Sequence, residues 1–237
     1  MMIDVSGITL PNGAAKILQD RDQNNLLDYS VSNTNMASIP SLLRLVLATR
    51  NTHKAAELKL LLGSASVETL DLFAFPGAPP VPETASTLKG NATLKALSAQ
   101  RHTGLWALGD DTGLYIDALD GRPGVHSARF AGEQADAEAN RTLVLELLAD
   151  KSDRTARFST VLALAHPEGV HYFEGHLNGC IARSALSTRG FGYESIFIPE
   201  GFNVCLAQLS RVEKNRISHR AQSAIRLANF INKLQAG

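Results

Sequence analysis

The chain has 237 residues, enough to bury a substantial core, and 44% of them are hydrophobic, as in ordinary globular proteins. Its 23 basic and 23 acidic residues cancel, so there is no global electrostatic reason to expect nucleic acid or an anionic membrane as a partner. Two cysteines are too few for a disulfide framework or a cysteine-built zinc site, and no apolar run reaches membrane-spanning length. The composition favours a cytoplasmic protein and leaves open a local basic pocket for a small anion.

Residues 1–40 differ in composition from the rest of the chain. The stretch QDRDQNNLLDYSVSNTNMAS is rich in Asn, Asp, Ser and Gln and shows no sustained hydrophobic period, so we expect a loosely ordered extension. The folded pattern starts a few residues after Met36, which makes Met36 a candidate start of translation. Residues 41–237 are expected to form the folded domain.

From residue 42 onward the pattern alternates between strands and helices. The apolar run at 43–48 predicts a buried strand, and helical spacing predicts helices at 51–62 and 87–102. Two short strands are then expected, one at 105–108 and another that begins at 113–116.

The second half of the chain adds antiparallel pairing to this pattern. A helix is predicted at 137–148, and apolar runs at 158–165 and 170–176 flank a turn, which indicates a hairpin. Further strands are expected at 180–182 and 196–198, and a long final helix at 214–234. Because hairpins accompany strand–helix crossovers, the fold class is α/β, with a mixed β-sheet flanked by helices.

Two adjacent acids, Asp110 and Asp111, follow the predicted strand at 105–108 in the stretch GDDTG. Asp, Thr and Gly are frequent in turns, so a polar turn is one interpretation. The other is a metal site, because Mg²⁺ commonly takes one or two protein carboxylates while substrate phosphates supply further oxygens. One of the two carboxylates would also be placed to activate an attacking water.

The stretch TRNTHK at 49–54 lies between the first strand and the first helix. Asn51 is a natural N-cap, and Lys54 lies beside the positive end of the helix dipole, where a cation is unfavourable unless an anion also binds. Backbone N–H groups, the hydroxyls of Thr49 and Thr52, and Lys54 would form a phosphate cradle. The alternative is an ordinary capped helix with a solvated lysine.

Two further stretches combine polar groups with features that allow close contact to a ligand. Residues 218–220 are Ser-His-Arg at the front of the last helix, and residues 190–194 are Gly-Phe-Gly-Tyr-Glu. Glycines let the backbone approach a ligand closely, and an aromatic ring can stack on a base. The alternatives are a solvated basic face and a turn whose aromatic rings belong to the core.

The four blocks LATRNTHKAAEL, GDDTGLYIDALDGRPGVHSARFAG, FGYESIF and EKNRISHRAQS occur in this order. Together they resemble the non-canonical purine nucleoside triphosphate pyrophosphatases, the inosine triphosphatase family, over residues 43–235. The resemblance implies a two-lobed fold with the nucleotide in the cleft between the lobes, usually as a homodimer. It also implies Mg²⁺-dependent hydrolysis of ITP, dITP and XTP to the monophosphate and pyrophosphate, which cleans the nucleotide pool.

The resemblance assigns roles position by position. The implied triphosphate loop comprises Thr49, Arg50, Asn51, Thr52, His53 and Lys54, and Lys95 is a further phosphate ligand. Asp111 is implied as the general base, Asp110 and Asp111 as metal ligands, and Thr112 as a neighbour of the nucleotide. The implied contacts to the base and sugar are Phe191, Gly192, Tyr193, Glu194, Lys214, His219 and Arg220.

This chain departs from the family pattern at three places. Gly90 stands where the family usually has a glutamate that is implied to be a metal ligand, and Glu194-Ser195 replaces Asp-Pro. The extension of residues 1–40 has no counterpart in the compact family form. Two alternatives follow from the substitutions, namely a nucleotide-binding protein with weak or lost turnover and a pyrophosphatase with a shifted base preference. Glu83 is the next candidate for the base after Asp111.

Overall fold

The computed structural model describes residues 42–63, 65–133 and 136–236, so the predicted extension of residues 1–40 and the candidate start at Met36 lie outside it. The strands are β1 (Leu43–Leu47), β2 (Val67–Asp71), β3 (Trp106–Ile116), β4 (Pro123–Gly124), β5 (Thr155–His166), β6 (Gly169–Ile181) and β7 (Phe197–Pro199). The helices are α1 (Thr52–Leu62), α2 (Leu88–Thr103), α3 (Ala137–Leu147), α4 (Arg211–Ile217) and α5 (His219–Ala236).

The strands form one mixed sheet in the order β2-β1-β3-β5-β6-β7, with the short β4 paired to β3. The pairs β1–β2 and β1–β3 are parallel, whereas β3–β5, β5–β6 and β6–β7 are antiparallel. Parallel neighbours need crossover connections, and α1 and α2 provide them, while the β5–β6 hairpin closes directly. The predicted mixed α/β fold is therefore confirmed. No helix in the described part of the chain is long and apolar enough to cross a membrane.

Two buried apolar clusters lie along the long strands. The first cluster, where α1 and α5 pack on the sheet, includes Leu45, Leu47, Leu58, Leu62, Leu108, Leu162 and Leu227. The second cluster, towards α3 and β7, includes Leu114, Ile116, Val144, Phe158, Ile181, Phe197 and Leu206. Strands β3 and β5 contribute residues to both clusters, so both clusters pack against these two strands.

The strand around the acid pair differs from its prediction. Residues 106–108 of the first predicted strand and residues 113–116 of the second belong to a single strand, β3, whose pairing with β5 runs without a break from Ala107 opposite Ala165 to Ile116 opposite Ala156. The acids therefore lie in the interior of a strand and not in a turn after it. In the sequence, two adjacent acids indicate the end of a buried strand. The cationic side chains that allow them to be buried lie 16 to 110 residues away, so the sequence alone does not reveal them.

The predicted final helix at 214–234 is two helices, α4 and α5. Ser218 separates them with an extended backbone, φ −63° and ψ 148°, and its hydroxyl accepts a hydrogen bond from the N–H of Ala221. A serine in this conformation caps the second helix. The break places His219 and Arg220 in the first turn of α5. Strand β2 was not predicted because it lies at the sheet edge with mostly half-buried residues and shows no clear alternation.

Gly109 sets the distance between α2 and β3. A β-carbon on Gly109 would overlap the backbone carbonyl oxygen of Ala92 and lie 2.9 Å from the backbone nitrogen of Ala96, both on α2. Only hydrogen fits between the helix and the strand at this point. The close approach brings the side chains of Asn91 and Lys95 on α2 into contact with the carboxylate of Asp111.

We predict that Gly109→Ala lowers the free energy of unfolding by about 1–3 kcal/mol, the usual cost of forcing extra atoms into a packed core. Gly63→Ala is the matched control, because Gly63 has a helical φ of −63° and an added β-carbon meets nothing closer than 3.4 Å. The control should change stability by less than about 0.5 kcal/mol. Urea denaturation of the two variants and the wild type measures the difference, and equal stabilities would contradict this account of the α2–β3 contact.

Candidate active site

A cavity of about 500 Å³ is lined in part by residues of the second apolar cluster, among them Leu114, Phe158 and Leu206. Its volume lies within the usual range for a small-molecule site. The predicted site residues that line it are Thr49, Arg50, Asn51, Lys54, Lys95, Asp111, Thr112, Phe191, Gly192, Tyr193, Glu194, Lys214, His219 and Arg220. Three others, Thr52, His53 and Asp110, are not among the described lining residues.

Asp110 belongs to a buried ion cluster on the α1–α5 face of the sheet. Its Oδ1 lies 2.5 Å from Nζ of Lys54, and its Oδ2 lies 2.7 Å from Nε of Arg220. Burial would raise the pKa of Asp110, but Arg220 and Lys54 outweigh burial and hold the pKa well below its usual range. With both oxygens engaged and 0% of its side chain exposed, Asp110 is placed as a counter-ion to Lys54 and Arg220, and its role as a metal ligand stays a prediction.

Asp111 points to the opposite face of the same strand, because successive side chains of a strand alternate. Its Oδ1 lies 2.8 Å from Nζ of Lys95, and its Oδ2 accepts a 3.3 Å hydrogen bond from Nδ2 of Asn91. Burial, which outweighs the attraction of Lys95, raises the pKa of Asp111. The alternation explains how adjacent acids coexist, since each has its own cationic partners and neither faces the other.

Glu83 is the second carboxylate beside Lys95. Its Oε1 lies 2.5 Å from Nζ of Lys95, while Arg129 approaches Oε2 at 3.3 Å and donates to the backbone carbonyl of Glu83 at 3.1 Å. Burial would raise the pKa of Glu83, but Lys95, together with Lys54 and Arg129, outweighs burial and lowers it. The sequence offered Glu83 only as the acid to test after Asp111, and Arg129 was not predicted at all. Neither stands in a periodic pattern, so only the fold reveals their contact.

Gly90 lies in the first turn of α2 and is not among the described residues that line the cavity. A β-carbon there would lie 2.5 Å from the β-carbon of Ala85. The structure thus places Glu83, and not position 90, beside Asp111. The expectation that Gly90 marks a lost metal ligand stays a prediction.

The 49–54 loop uses part of its hydrogen-bonding capacity within the protein. The predicted N-cap is present, because Oδ1 of Asn51 accepts from the N–H groups of His53 and Lys54. Arg50 turns its guanidinium to the carbonyl of Ala78 at 2.5 Å. A phosphate at this helix end would therefore meet hydroxyls and the Lys54 ammonium rather than the full set of backbone donors.

The 190–194 segment forms the opposite wall. Phe191 is 46% exposed, and the centroid of its ring lies 5.1 Å from that of the His53 ring. Tyr193 instead belongs to the core, and its hydroxyl donates to the carbonyl of Ser127 at 2.7 Å. Its ring is therefore fixed in the cavity wall, which leaves Phe191 as the exposed aromatic of this segment.

Polar contacts hold the ends of the 190–194 segment. Oε2 of Glu194 accepts from Nζ of Lys214 at 2.7 Å. Arg141 of α3 donates to the carbonyl oxygen of Gly192 at 2.9 Å. The sequence gave no sign of this arginine, because its partner lies 51 residues further along the chain.

The first turn of α5 contributes two side chains with different roles. His219 stacks on Phe158 with ring centroids 4.8 Å apart, and burial, reinforced by Arg220, lowers its pKa well below the usual value, so the imidazole is neutral at pH 7. Arg220 also contacts Glu57, with Nη1 2.5 Å from Oε2, and donates to the hydroxyl of Thr112 at 3.0 Å. Arg220 therefore connects Asp110, Glu57 and Thr112 within the protein. The sequence predicted for it only a contact with the base of the nucleotide.

The carboxylates near Lys95 fit one kind of metal. In the described ranges, no group of three or more His, Cys, Asp or Glu residues converges as a metal site. Glu83 and Asp111 nevertheless present two carboxylates within reach of one ammonium group. Mg²⁺ is commonly bound through one or two carboxylates together with substrate phosphates. The donor set therefore fits a magnesium ion that shares its coordination with a phosphate ligand.

Comparisons with known proteins agree with this architecture. A model of the Ham1 family matches residues 45–230. A dITP/XTP pyrophosphatase from Porphyromonas gingivalis is 44% identical over 189 residues, which are 79% of this chain and 97% of the relative. Another from Leifsonia xyli is 45% identical over 185 residues, 77% of this chain and 92% of the relative. A solved Ham1 protein from Coxiella burnetii superposes with a TM-score of 0.75 at 40% identity, covering 81% of this chain and 100% of that one.

The fold and the cavity define an α/β protein with a small-molecule cleft that is lined in part by buried, ion-paired acidic and basic side chains. The chain belongs to the Ham1 family. This membership confirms the resemblance that the four sequence blocks carry.

We predict that the two adjacent acids differ sharply in their effect on stability. Asp110→Asn should cost about 3–5 kcal/mol, because it leaves Lys54 and Arg220 without their buried counter-ion. At pH 7 this contribution is fully present, since a lowered folded-state pKa gives stability that is lost only on acidification below the unfolded-state value. Asp111→Asn should change stability by less than about 1 kcal/mol, because the raised pKa means that the fold does not favour the charged form. Chemical denaturation at pH 7 tests this order, and a larger loss in Asp111→Asn would contradict the assignment.

Proposed function

We propose that this protein hydrolyses non-canonical purine nucleoside triphosphates, including ITP, dITP and XTP, to the monophosphate and pyrophosphate with the help of Mg²⁺. The relatives at 42–45% identity are named dITP/XTP pyrophosphatases. The observation that carries the proposal is the carboxylate of Asp111, buried with a raised pKa on the cavity wall beside Lys95 and Glu83. The proposed role is to clear the nucleotide pool of damaged purines.

Asp111 is the proposed general base. A carboxylate with a raised pKa accepts a proton more readily than an ordinary one. It would take a proton from water as the water oxygen bonds to the α-phosphorus and the bond to the bridging oxygen of the leaving pyrophosphate breaks. Asn91 orients the acceptor through Oδ2 of Asp111, and its own Oδ1 accepts from the N–H of Ala85 at 2.9 Å. Asn91 is completely buried, which fixes this orientation.

Glu83 and Asp111 would hold the Mg²⁺, which supplies neutralisation of the phosphate charge. The phosphates would bind between Lys54 and the hydroxyl of Thr49 on one side of the cavity and Lys95 on the other. All three side chains line the cavity. Positioning and charge stabilisation of this kind account for most of the catalysis in phosphoryl-transfer enzymes.

The base would lie against Phe191 and near the neutral imidazole of His219. Lys214 provides an ammonium donor on this wall, held by Glu194. The 6-carbonyl of hypoxanthine or xanthine accepts from such a donor, whereas the 6-amino group of adenine leaves it unpaired. A site built around a hydrogen bond rejects the analogue that cannot make it.

A shifted base preference is the second candidate, and one observation favours it. Ser195 stands where the family usually has proline, and its hydroxyl is buried without a hydrogen-bond partner in the described structure. This replacement adjoins Glu194, the partner of Lys214. A nucleotide-binding protein without turnover is less well supported. That alternative assumed that the site lacks a second carboxylate because position 90 is glycine, whereas Glu83 lies beside Asp111 and would supply one.

Pyrophosphate release from ITP, dITP, XTP, ATP and GTP, each with and without Mg²⁺, tests these functions. The proposal requires magnesium-dependent release that is fastest with the first three. Faster release from ATP or GTP would establish the shifted preference, and binding without release from any of them would establish the binding protein.

We also propose that the protein is cytoplasmic, as its composition favours, and a homodimer, as the resemblance implies. Light scattering coupled to size-exclusion chromatography should give twice the mass of one chain. Elution as a monomer throughout the micromolar range would overturn this proposal.

We predict that Asp111→Asn lowers kcat for ITP by about 10²–10⁴-fold, the usual contribution of a general base. Glu83→Gln should raise the Mg²⁺ concentration for half-maximal rate by at least about tenfold. Loss of a residue that only supports a metal ligand already costs about 10–100-fold in affinity, and Glu83 is proposed to bind the metal directly. Asp117→Asn, an exposed position just after the same strand, is the matched control and should behave as wild type. Wild-type rates and magnesium dependence in Asp111→Asn would move the base elsewhere.

A further inference from the structure

We propose that the ammonium group of Lys95 competes with the divalent cation for the carboxylates of Glu83 and Asp111, so that tight cation binding requires the triphosphate. The inference rests on the proposed function, from which it takes the cation and the triphosphate. It gives Lys95 a second role, control of when the cation binds, beyond contact with a phosphate.

The contacts of Lys95 use its whole hydrogen-bonding capacity. Nζ lies 2.5 Å from Oε1 of Glu83 and 2.8 Å from Oδ1 of Asp111, and it donates to the backbone carbonyl of Asp110 at 3.0 Å. An ammonium group has three N–H donors, and each has an acceptor here. Lys95 therefore cannot donate to a phosphate without releasing at least one of these oxygens.

The other carboxylate oxygens are also engaged. Oδ2 of Asp111 accepts from Asn91, and Oε2 of Glu83 lies 3.3 Å from Arg129. Each of the four carboxylate oxygens thus has a protein donor. A divalent cation that enters this site must displace a donor or share an oxygen with it, and it is repelled by the nearby positive charge.

Lys95 is the donor best able to leave. Asn91 is completely buried and also holds the N–H of Ala85, and Arg129 also holds the backbone of Glu83. Lys95 ends in a flexible chain of methylene groups and lines the cavity. Its ammonium can turn towards a ligand while Asn91 and Arg129 keep the two carboxylates in place.

A triphosphate would offer Lys95 new acceptors at the moment when the cation takes the carboxylates. Without the triphosphate, a displaced ammonium would lose its partners in a largely buried position, which is unfavourable. The two ligands should therefore bind cooperatively, and because such coupling is reciprocal, the cation should raise triphosphate affinity by the same factor.

Manganese binding to the protein without nucleotide tests the competition, with Mn²⁺ as the paramagnetic probe and free Mn²⁺ measured by electron paramagnetic resonance. Lys95→Met should bind Mn²⁺ about tenfold more tightly than wild type, within the usual range of coupling between sites. Lys89→Met is the matched control on the same helix, because Lys89 lies over the ring of Tyr172 and is not part of the described cavity wall. It should leave Mn²⁺ affinity unchanged.

Inorganic tripolyphosphate completes the test. It should raise the Mn²⁺ affinity of the wild type beyond what the free polyphosphate binds by itself, and this increase should shrink in Lys95→Met. Lys95→Gln, checked for folding by circular dichroism, is the second variant and should also bind Mn²⁺ more tightly without polyphosphate. Equal or weaker Mn²⁺ binding in both folded variants would overturn the competition. Because no turnover is measured, failure of the nucleotide panel would refute the proposed function and leave this result standing.

Discussion

The alternation of side chains along β3 is the constraint on which the site depends. It sends Asp110 to the face covered by α1 and α5 and Asp111 to the face covered by α2. A turn at this point would have left two adjacent carboxylates free to face each other, and their repulsion in a poorly solvated place would be costly. The strand converts one acidic dipeptide into two separate charge clusters, one on each side of the sheet.

The two clusters have different physical characters, and the difference follows from their partners. Asp110 has two cations at its oxygens, and its pKa is lowered, so it stays charged and holds Lys54 and Arg220 in place. Asp111 has one close cation, which is shared with Glu83, and burial raises its pKa. A carboxylate that is strongly neutralised is a poor proton acceptor. The proposed general base is therefore Asp111, while Asp110 is held by two cations on the other face of the same strand.

The sequence predicted the features that local patterns encode. Helix α1 with its Asn51 cap, helices α2 and α3, and the β5–β6 hairpin follow from periodicity and turn signals. It failed at β3, because Asp110 looks like a strand end until its partners are known, and one of them lies 110 residues away. The site residues Glu57 and Glu83 were missed or ranked low for the same reason. Motifs locate the groups that touch a ligand, but the groups that hold them are defined by distant contacts that leave no local pattern.

Charge balance around the cavity limits which ligands it accepts. Four carboxylates and four cations form the two sets of ion pairs described above: Glu57 and Asp110 with Lys54 and Arg220, and Glu83 and Asp111 with Lys95 and Arg129. Each set is thus neutral before any ligand binds, and no cation in either set lacks an acidic partner. A free triphosphate would add uncompensated negative charge to a poorly solvated region, which is unfavourable. A triphosphate that arrives with a divalent cation adds less net charge and allows the lysines to exchange carboxylate partners for phosphate oxygens, so the balance itself favours the metal complex of the proposed substrate.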